Sequence, residues 1–353
     1  MRLCVKVTGR IRVRDMKAAV LHEFKTPLAL QDAARPSPGP DDVLIAVEAC
    51  GVCHSDLHIA DGDWPQLAGI VKKPLILGHE VAGRVAEVGS NVRDLHVGDR
   101  VGVPWVYWTC GACEFCRDGN ENLCTNQKIT GVTVDGGFAE FLLAPASHTT
   151  RIPEKITSVE AAPLFCAGVT VYRALQKAHI QAGQRVAIFG VGGLGHLAVQ
   201  IAAALGAETI AIDISDEKLA LAKSFGASQI FNATALDSAK LLRRLGAHVA
   251  LVTSAAKSAY DLAFSSLRPT GTMLVVGLPA ENIGFPPILM AALEINIHAS
   301  AVGTRKDLCN VLAMAAAGKL RCEVSTRPLS EANSVLDDLR HDKISGRVVL
   351  TPG

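Results

Sequence analysis

One hexapeptide constrains the fold of this chain more than any other feature: Gly190-Val191-Gly192-Gly193-Leu194-Gly195. It follows the apolar run Arg185 to Phe189 and opens an alanine-rich helical stretch from about Leu194 to Leu205, which Gly206 stops. A strand, a glycine turn and a helix in that order make a cradle for a pyrophosphate. Without side chains the backbone can approach the anion, whose charge faces the helix N-terminus. A lone glycine motif says little. Here the next strand, Thr209 to Ile212, is followed directly by Asp213, about twenty residues on, where a carboxylate accepts from the adenosine ribose hydroxyls. A 2′-phosphate would meet Asp213 and Asp216 with no arginine immediately after them, so the pattern favours NAD over NADP. Taken alone, Asp213 could instead be a solvent-facing carboxylate at a strand end.

The texture around this motif implies more than one folding unit. From Met16 to about Ile152, short apolar strands (Val43 to Val47, Val81 to Val88, Arg100 to Val103) are punctuated by Gly78, Gly83, Gly89, Asn91 and Gly98. That is a β-rich, barrel-like pattern with few helices. After Pro163 helices and buried strands alternate: a helix through Lys218 to Phe225 stopped at Gly226, then strands at Ala250 to Val252 and Met273 to Val276. Such alternation predicts a doubly wound parallel sheet with helices on both faces, an α/β fold. Past about Ser300 the pattern loosens, and Gly346 to Thr351 reads as a single strand. The expected layout is residues 1–166 in the β-rich unit, 167–300 in the nucleotide unit, and 301–353 returning to the first. A chain of 353 residues is comfortable for two domains.

Thirty-five basic against thirty-four acidic residues leave a formal charge of +1, so neither nucleic acid nor an anionic membrane is an expected partner. The longest apolar runs are strand-sized, far short of a membrane span. Residues Met1 to Asp15 are basic but alternate Leu3, Val5, Val7 and Ile11, Val13 around Thr8-Gly9, which predicts a small hairpin. Translation from Met16 and a cleaved transit peptide are the competing readings of this extension.

Four of the ten cysteines crowd into Cys110-x2-Cys113-x2-Cys116-x7-Cys124, in a loop with Gly111 and Gly119. Four thiolates suit one tetrahedral zinc and leave no position for water, so such a site is structural. Free thiols would not need the spacing, and the common ferredoxin runs are spaced differently. Three further residues, Cys53, His79 and Cys166, lie too far apart for spacing to unite them. By itself each reads equally as a buried cysteine or a satisfied strand histidine.

The segments around them, Gly51-Val52-Cys53-His54-Ser55-Asp56, Gly78-His79-Glu80, Leu164-Phe165-Cys166-Ala167-Gly168 and Gly346-Arg347-Val348-Val349, together with the cysteine lobe and the glycine motif, resemble the zinc-containing medium-chain alcohol dehydrogenases. The resemblance runs from Met16 to near the C-terminus and is closest to the shorter tetrameric yeast and bacterial type. It implies a GroES-like catalytic barrel beside a Rossmann cofactor domain. It also implies a catalytic zinc on Cys53, His79 and Cys166, with Glu80 close behind the metal and Asp56 orienting the histidine; alcohol dehydrogenase is itself the standard example of a Cys2His catalytic zinc. Ser55 and His58 match a proton relay, and they stand three positions apart on one helical face. His54 and Arg347 match residues at the pyrophosphate, Lys218 one at the adenosine ribose, and Thr170, Val276, Ser300 and Val302 positions around the nicotinamide. Trp64, Trp105 and Leu278 match walls of the alcohol pocket, which puts short primary alcohols first, with secondary or aromatic ones also admitted; the alternative is a related zinc dehydrogenase acting on bulkier alcohols, polyols or aldehyde adducts.

The resemblance thus implies a cytoplasmic homotetramer with two zinc ions per chain and NAD as cofactor. A purely structural zinc protein or a non-catalytic dinucleotide binder would have no reason to carry Cys53, His79, Cys166, Ser55 and His58 together.

Overall fold

A computed structural model describes residues 15–279 and 281–353. The hairpin expected at the N-terminus lies outside the described residues, apart from Asp15, which opens the strand Asp15–Leu21. That strand pairs antiparallel with Ala29–Ala34 and Leu75–Ile76 in a small sheet.

Buried β-type runs between glycine-stopped helices assemble into a six-stranded sheet in which every neighbouring pair is parallel. Its spatial order is Gln229–Asn232, Glu208–Asp213, Arg185–Phe189, Ala247–Val252, Leu267–Val275, Asn296–Ala299. The first strand in sequence is therefore central, and the order reverses between it and Ala247–Val252. Ligands bind at such a switch point, outside the carboxyl ends of the strands. The helices Gly195–Ala204 and Asp216–Ser224 end as anticipated, with Gly206 and Gly226 at positive φ of 83° and 98°.

A second, seven-stranded sheet takes most of its strands from the β-rich part. At its centre Asp42–Gly51 pairs antiparallel with Glu80–Val88, Phe141–Pro145 and the C-terminal strand Arg347–Thr351. Asp42–Gly51 is longer than the apolar run Val43 to Val47 suggests. A register irregularity between Val47 and Ala49, beside the exposed Glu48, breaks the alternation from which a strand is read.

The region past Ser300 is more ordered than its loosened pattern implies. It contains the helices Arg305–Ala316 and Ala332–Arg340. The first buries Leu308, Val311, Leu312 and Ala315; the second buries Ala332, Val335, Leu336 and Leu339. Both sets follow the i, i+3, i+4, i+7 spacing of a single apolar stripe. Thr304 caps the first helix, accepting from Asp307 N–H while Asp307 accepts from Thr304 N–H. Helix Arg305–Ala316 shares a core with residues of the parallel sheet, whereas Ala332–Arg340 packs into the core of the β-rich part. Among the described residues no helix is long and apolar enough to cross a membrane.

Candidate metal centres and dinucleotide crevice

The cysteine lobe is a loop turned by Gly111 and Gly119, both at positive φ. Its four sulfurs lie within 4.8 Å of one another, with Cys110 Sγ 3.6 Å from Cys124 Sγ and 4.0 Å from Cys116 Sγ. Sulfurs about 2.3 Å from one central ion sit at tetrahedron corners about 3.8 Å apart, so this spacing fits zinc without rearrangement. Backbone N–H groups of Ala112 and Cys113 draw the Cys110 thiol down to about 6, and burial pushes Cys116 up to about 11.

The second centre is assembled from three turns far apart in sequence. Cys53 caps the helix His54–Asp61 where the strand Asp42–Gly51 ends, and His79 immediately precedes the strand Glu80–Val88. Cys166 starts the helix Ala167–Lys177. These residues and Glu80 bring one donor atom each within 4.8 Å of the others, and all four are buried. Asp56 organises the group. Its Oδ2 accepts from Cys53 N–H at 2.9 Å; its Oδ1 accepts from Gly78 N–H at 3.2 Å and lies 3.0 Å from His79 Nδ1. With Nδ1 donating to the carboxylate, the Nε2 lone pair is left for a metal. Indeed His79 Nε2 and Glu80 Oε2 are buried polar atoms with no protein partner. Soft sulfur, an imidazole and two orphaned acceptors suit zinc, and such atoms are costly to bury without a ligand.

Glu80 is tied by Oε1 to the Arg347 guanidinium, two buried charges brought together across the sheet. Burial pushes the Glu80 carboxyl up to about 7, and Arg347 pulls against it. Cys53 sits well below the usual thiol range, chiefly through a hydrogen bond from Cys166 that outweighs burial, and Cys166 rises in return. Gly51 faces Glu80 across the pairing, and a Cβ there would stand 1.9 Å from Glu80 Oε2. Only glycine admits the carboxylate at that place.

Ser55 and His58 share the helix that Cys53 caps. The imidazole of His58 bonds through Nδ1 to Asp63 at 2.9 Å and lies 4.9 Å from the Trp64 ring. Trp105 meets the His79 ring edge-on at 4.9 Å. Both tryptophans pack against the same apolar cluster, but Leu278 stands outside it and is 51% exposed.

At the switch point the glycine loop makes a tight turn into the helix Gly195–Ala204. Gly190 is at φ 90°, and a Cβ on Gly195 would lie 1.9 Å from Gly190 O, so the helix seats on the loop only through glycine. The backbone at Gly192 is open, Leu194 caps the helix, and Arg347 packs over Gly193. Asp213 ends its strand beside the loop, accepting from Val191 N–H at 2.6 Å and from the N–H groups of Ile214 and Ser215. Lys218 is half-buried in the first turn of the next helix, while His54 is exposed beside Cys53. Thr170 and Val276 are buried, and Val276 N–H bonds to Val252 O. Ser300 Oγ is buried without a protein partner, and Val302 has a left-handed φ of 37°.

Sequence reasoning missed His196. Its Nδ1 bonds to Gly192 O at 2.9 Å and its Nε2 accepts from Glu323 N–H at 3.2 Å, so it joins the glycine loop to the returning tail. Burial holds this imidazole down to about 4, in keeping with one donating and one accepting nitrogen. A histidine one position beyond the glycine motif carries no signal for that role.

Residues 39–154 match the family model of the alcohol dehydrogenase GroES-like domain, and residues 193–317 that of zinc-binding dehydrogenase. An alcohol dehydrogenase of Geobacillus stearothermophilus is 46% identical over 337 residues, 95% of this chain and 99% of the relative. The crystal structure of the alcohol dehydrogenase from the archaeon Aeropyrum pernix superposes with a TM-score of 0.89 at 37% identity, covering 95% of this chain and all of that one. Acetophenone reductase from Geotrichum candidum, solved in complex with NAD, superposes with a TM-score of 0.88 at 32% identity, covering 96% and 97% of the two chains. Two sulfur-rich centres, a doubly wound sheet and relatives spanning nearly the full length agree: the chain belongs to the zinc-containing medium-chain alcohol dehydrogenases.

Proposed function

We propose that this alcohol dehydrogenase passes a hydride reversibly between a small primary alcohol and NAD, with one zinc on Cys53, His79 and Cys166 and a second on Cys110, Cys113, Cys116 and Cys124. The observation that carries the reading is the buried donor set whose His79 Nε2 and Glu80 Oε2 lack protein partners. Asp213 at the loop supports NAD over NADP, and the NAD complex of the acetophenone reductase is consistent with it. Zinc in the buried set would supply Lewis acidity, the property that lowers the pKa of bound water to about 7, and NAD would supply the hydride acceptor.

The chain's own residues do the rest. Asp56 fixes the His79 ring and tautomer. Ser55 accepts the alcohol's proton, and His58 hands it to solvent, its ring steadied by Asp63. The glycine loop, His54 and Arg347 receive the pyrophosphate, and Lys218 reaches the adenosine ribose. Thr170, Val276, Ser300 and Val302 surround the nicotinamide. Trp64 and Trp105 narrow the alcohol site, and their packing, half-buried, against one cluster supports a short substrate.

A second reading, bulkier secondary or aromatic alcohols, is favoured by the exposure of Leu278, which leaves the third wall open within one chain. A kinetic panel from ethanol to benzylic and secondary alcohols, run with NAD and NADP, decides between them; preference for NADP overturns the use of Asp213. Cys53→Ala should abolish turnover and leave NADH binding intact, and fewer than two zinc ions in the intact chain would count against the proposal. We further assign a cytoplasmic homotetramer, supported by resemblance to the yeast and bacterial enzymes. Sedimentation should give about four times 37.2 kDa.

A further inference from the structure

The cysteine lobe touches more than its own sulfurs. Between its third and fourth cysteines the short turn Glu121–Leu123 buries two polar residues, Glu121 at 8% and Asn122 at 3% exposure. Burying such groups is unfavourable unless they are bonded, and although Asn122 Oδ1 has no protein partner, the bonds both side chains make run to one distant segment. Asn122 Nδ2 donates to Ala301 O at 2.9 Å, while Glu121 Oε1 accepts from Arg305 N–H at 2.9 Å. The neighbouring Asn120 Oδ1 accepts from Arg173 at 2.8 Å, and the same guanidinium donates at 3.0 Å to Asp307, the capping acid of helix Arg305–Ala316. From the other direction Lys177 Nζ donates to Ala299 O at 2.8 Å.

The gripped segment holds Val302 at a φ of 37°, a conformation a β-branched residue keeps only when its surroundings enforce it. It also holds Ser300, whose buried Oγ has no protein partner and is available to a ligand. The cavity lined by Glu121, Val169, Thr304 and Arg305 is only about 10 Å³, room for one water at most, so the contact is close enough to transmit a displacement.

We infer that Glu121 and Asn122 are positioning residues for the nicotinamide half of the cofactor, acting through the backbone of residues 301–305. The structural lobe thereby sets the shape of the redox end of the crevice and leaves the adenosine end alone. The inference rests on the proposed dinucleotide function.

The test uses the metal-loaded full chain and two titrants, NADH and ADP-ribose. Asn122→Leu, similar in volume but without a donor for Ala301 O, should weaken NADH about tenfold, as expected for one lost buried hydrogen bond, and leave ADP-ribose within about twofold. Glu121→Ala should behave likewise. Glu121→Gln, which keeps an oxygen for Arg305 N–H, should restore wild-type binding, and this pair carries the comparison alone if Asn122→Leu fails to fold. Metal content per chain stays at the wild-type value throughout. Equal weakening of both titrants, or no weakening of either, overturns the positioning role. A wild-type chain that binds NADPH in place of NADH overturns only the choice of cofactor; the same split, read between NADPH and 2′-phospho-ADP-ribose, then decides the positioning role. A wild-type chain that binds neither dinucleotide overturns both.

Discussion

Asp56→Asn is the sharpest test of how the buried centre is organised. The wild-type carboxylate serves Cys53 N–H and Gly78 N–H and is paired with His79 Nδ1, so it keys two of the expected metal ligands at once. Asparagine keeps the shape but only one acceptor oxygen. If that oxygen stays with Gly78 and His79, the amide N–H₂ faces Cys53 N–H, donor against donor. An orphaned buried donor costs about 1–3 kcal/mol. The imidazole also loses the negative charge behind it, and removing such an outer partner typically weakens metal binding about 10- to 100-fold, or about 1.4–2.7 kcal/mol. The two routes give the same size of effect. Chelator competition, with ions counted per chain, should show the buried site releasing zinc at 10- to 100-fold lower chelator activity, an effect of about that size. The four-cysteine lobe is the internal control and should be unchanged. Zinc affinity within about twofold of wild type at the buried site would refute the orienting role, because no smaller effect is compatible with a lost carboxylate. Equal loss from both sites would instead mean general unfolding.

Three further outcomes follow from the same geometry. Gly195→Ala places a Cβ 1.9 Å from Gly190 O, and pushing the helix off the loop by overpacking costs about 1–3 kcal/mol, so NADH should bind about tenfold or more weakly by titration. Asp213→Ser combined with Ile214→Arg removes the carboxylate charge and adds a cation at a 70% exposed position; the kcat/KM ratio of NADP to NAD should invert, and an unchanged ratio would contradict the role of Asp213. His148 is held by burial down to about 4 from 6.5, its Nε2 accepting from Thr109 N–H. The unfolded chain therefore binds the extra proton first. The stabilisation, up to about 3 kcal/mol, is present in full above 6.5 and lost as pH falls towards 4. The gap in Tm between wild type and His148→Gln should narrow from pH 7 to pH 5, and a constant gap would refute the shift.

What was legible in the sequence was what is local in it. Cys110 to Cys124 and Gly190 to Gly195 each carry their chemistry within one turn of chain, so spacing alone names the ligand class. Cys53, His79 and Cys166 meet only because a strand end, an inter-strand turn and a helix start converge, and without the resemblance nothing in their spacing unites them. The Glu80–Arg347 pair spans the sheet through the register of a C-terminal strand, which no local pattern encodes. The two helices past Ser300 were missed for another reason. Along the chain the apolar positions are separated by Lys306, Cys309 and Asn310 or by Asp337 and Asp338, so each stripe shows only at helical spacing, and the Thr304–Asp307 cap is the local signal of the first helix.

The strand Arg347–Thr351 carries a further consequence, one of timing. The strand Asp42–Gly51 precedes every strand of the parallel sheet in sequence, and Arg347–Thr351, which pairs with its Cys50–Gly51 end, follows them all. Every strand of the parallel sheet lies between Arg185 and Ala299, so that sheet can close before Cys50 and Gly51 gain their partner strand. Arg347, which meets Glu80 and covers Gly193, arrives on the same late strand. The buried charge pair and the cover over the glycine loop are therefore completed in a single step, when this strand docks.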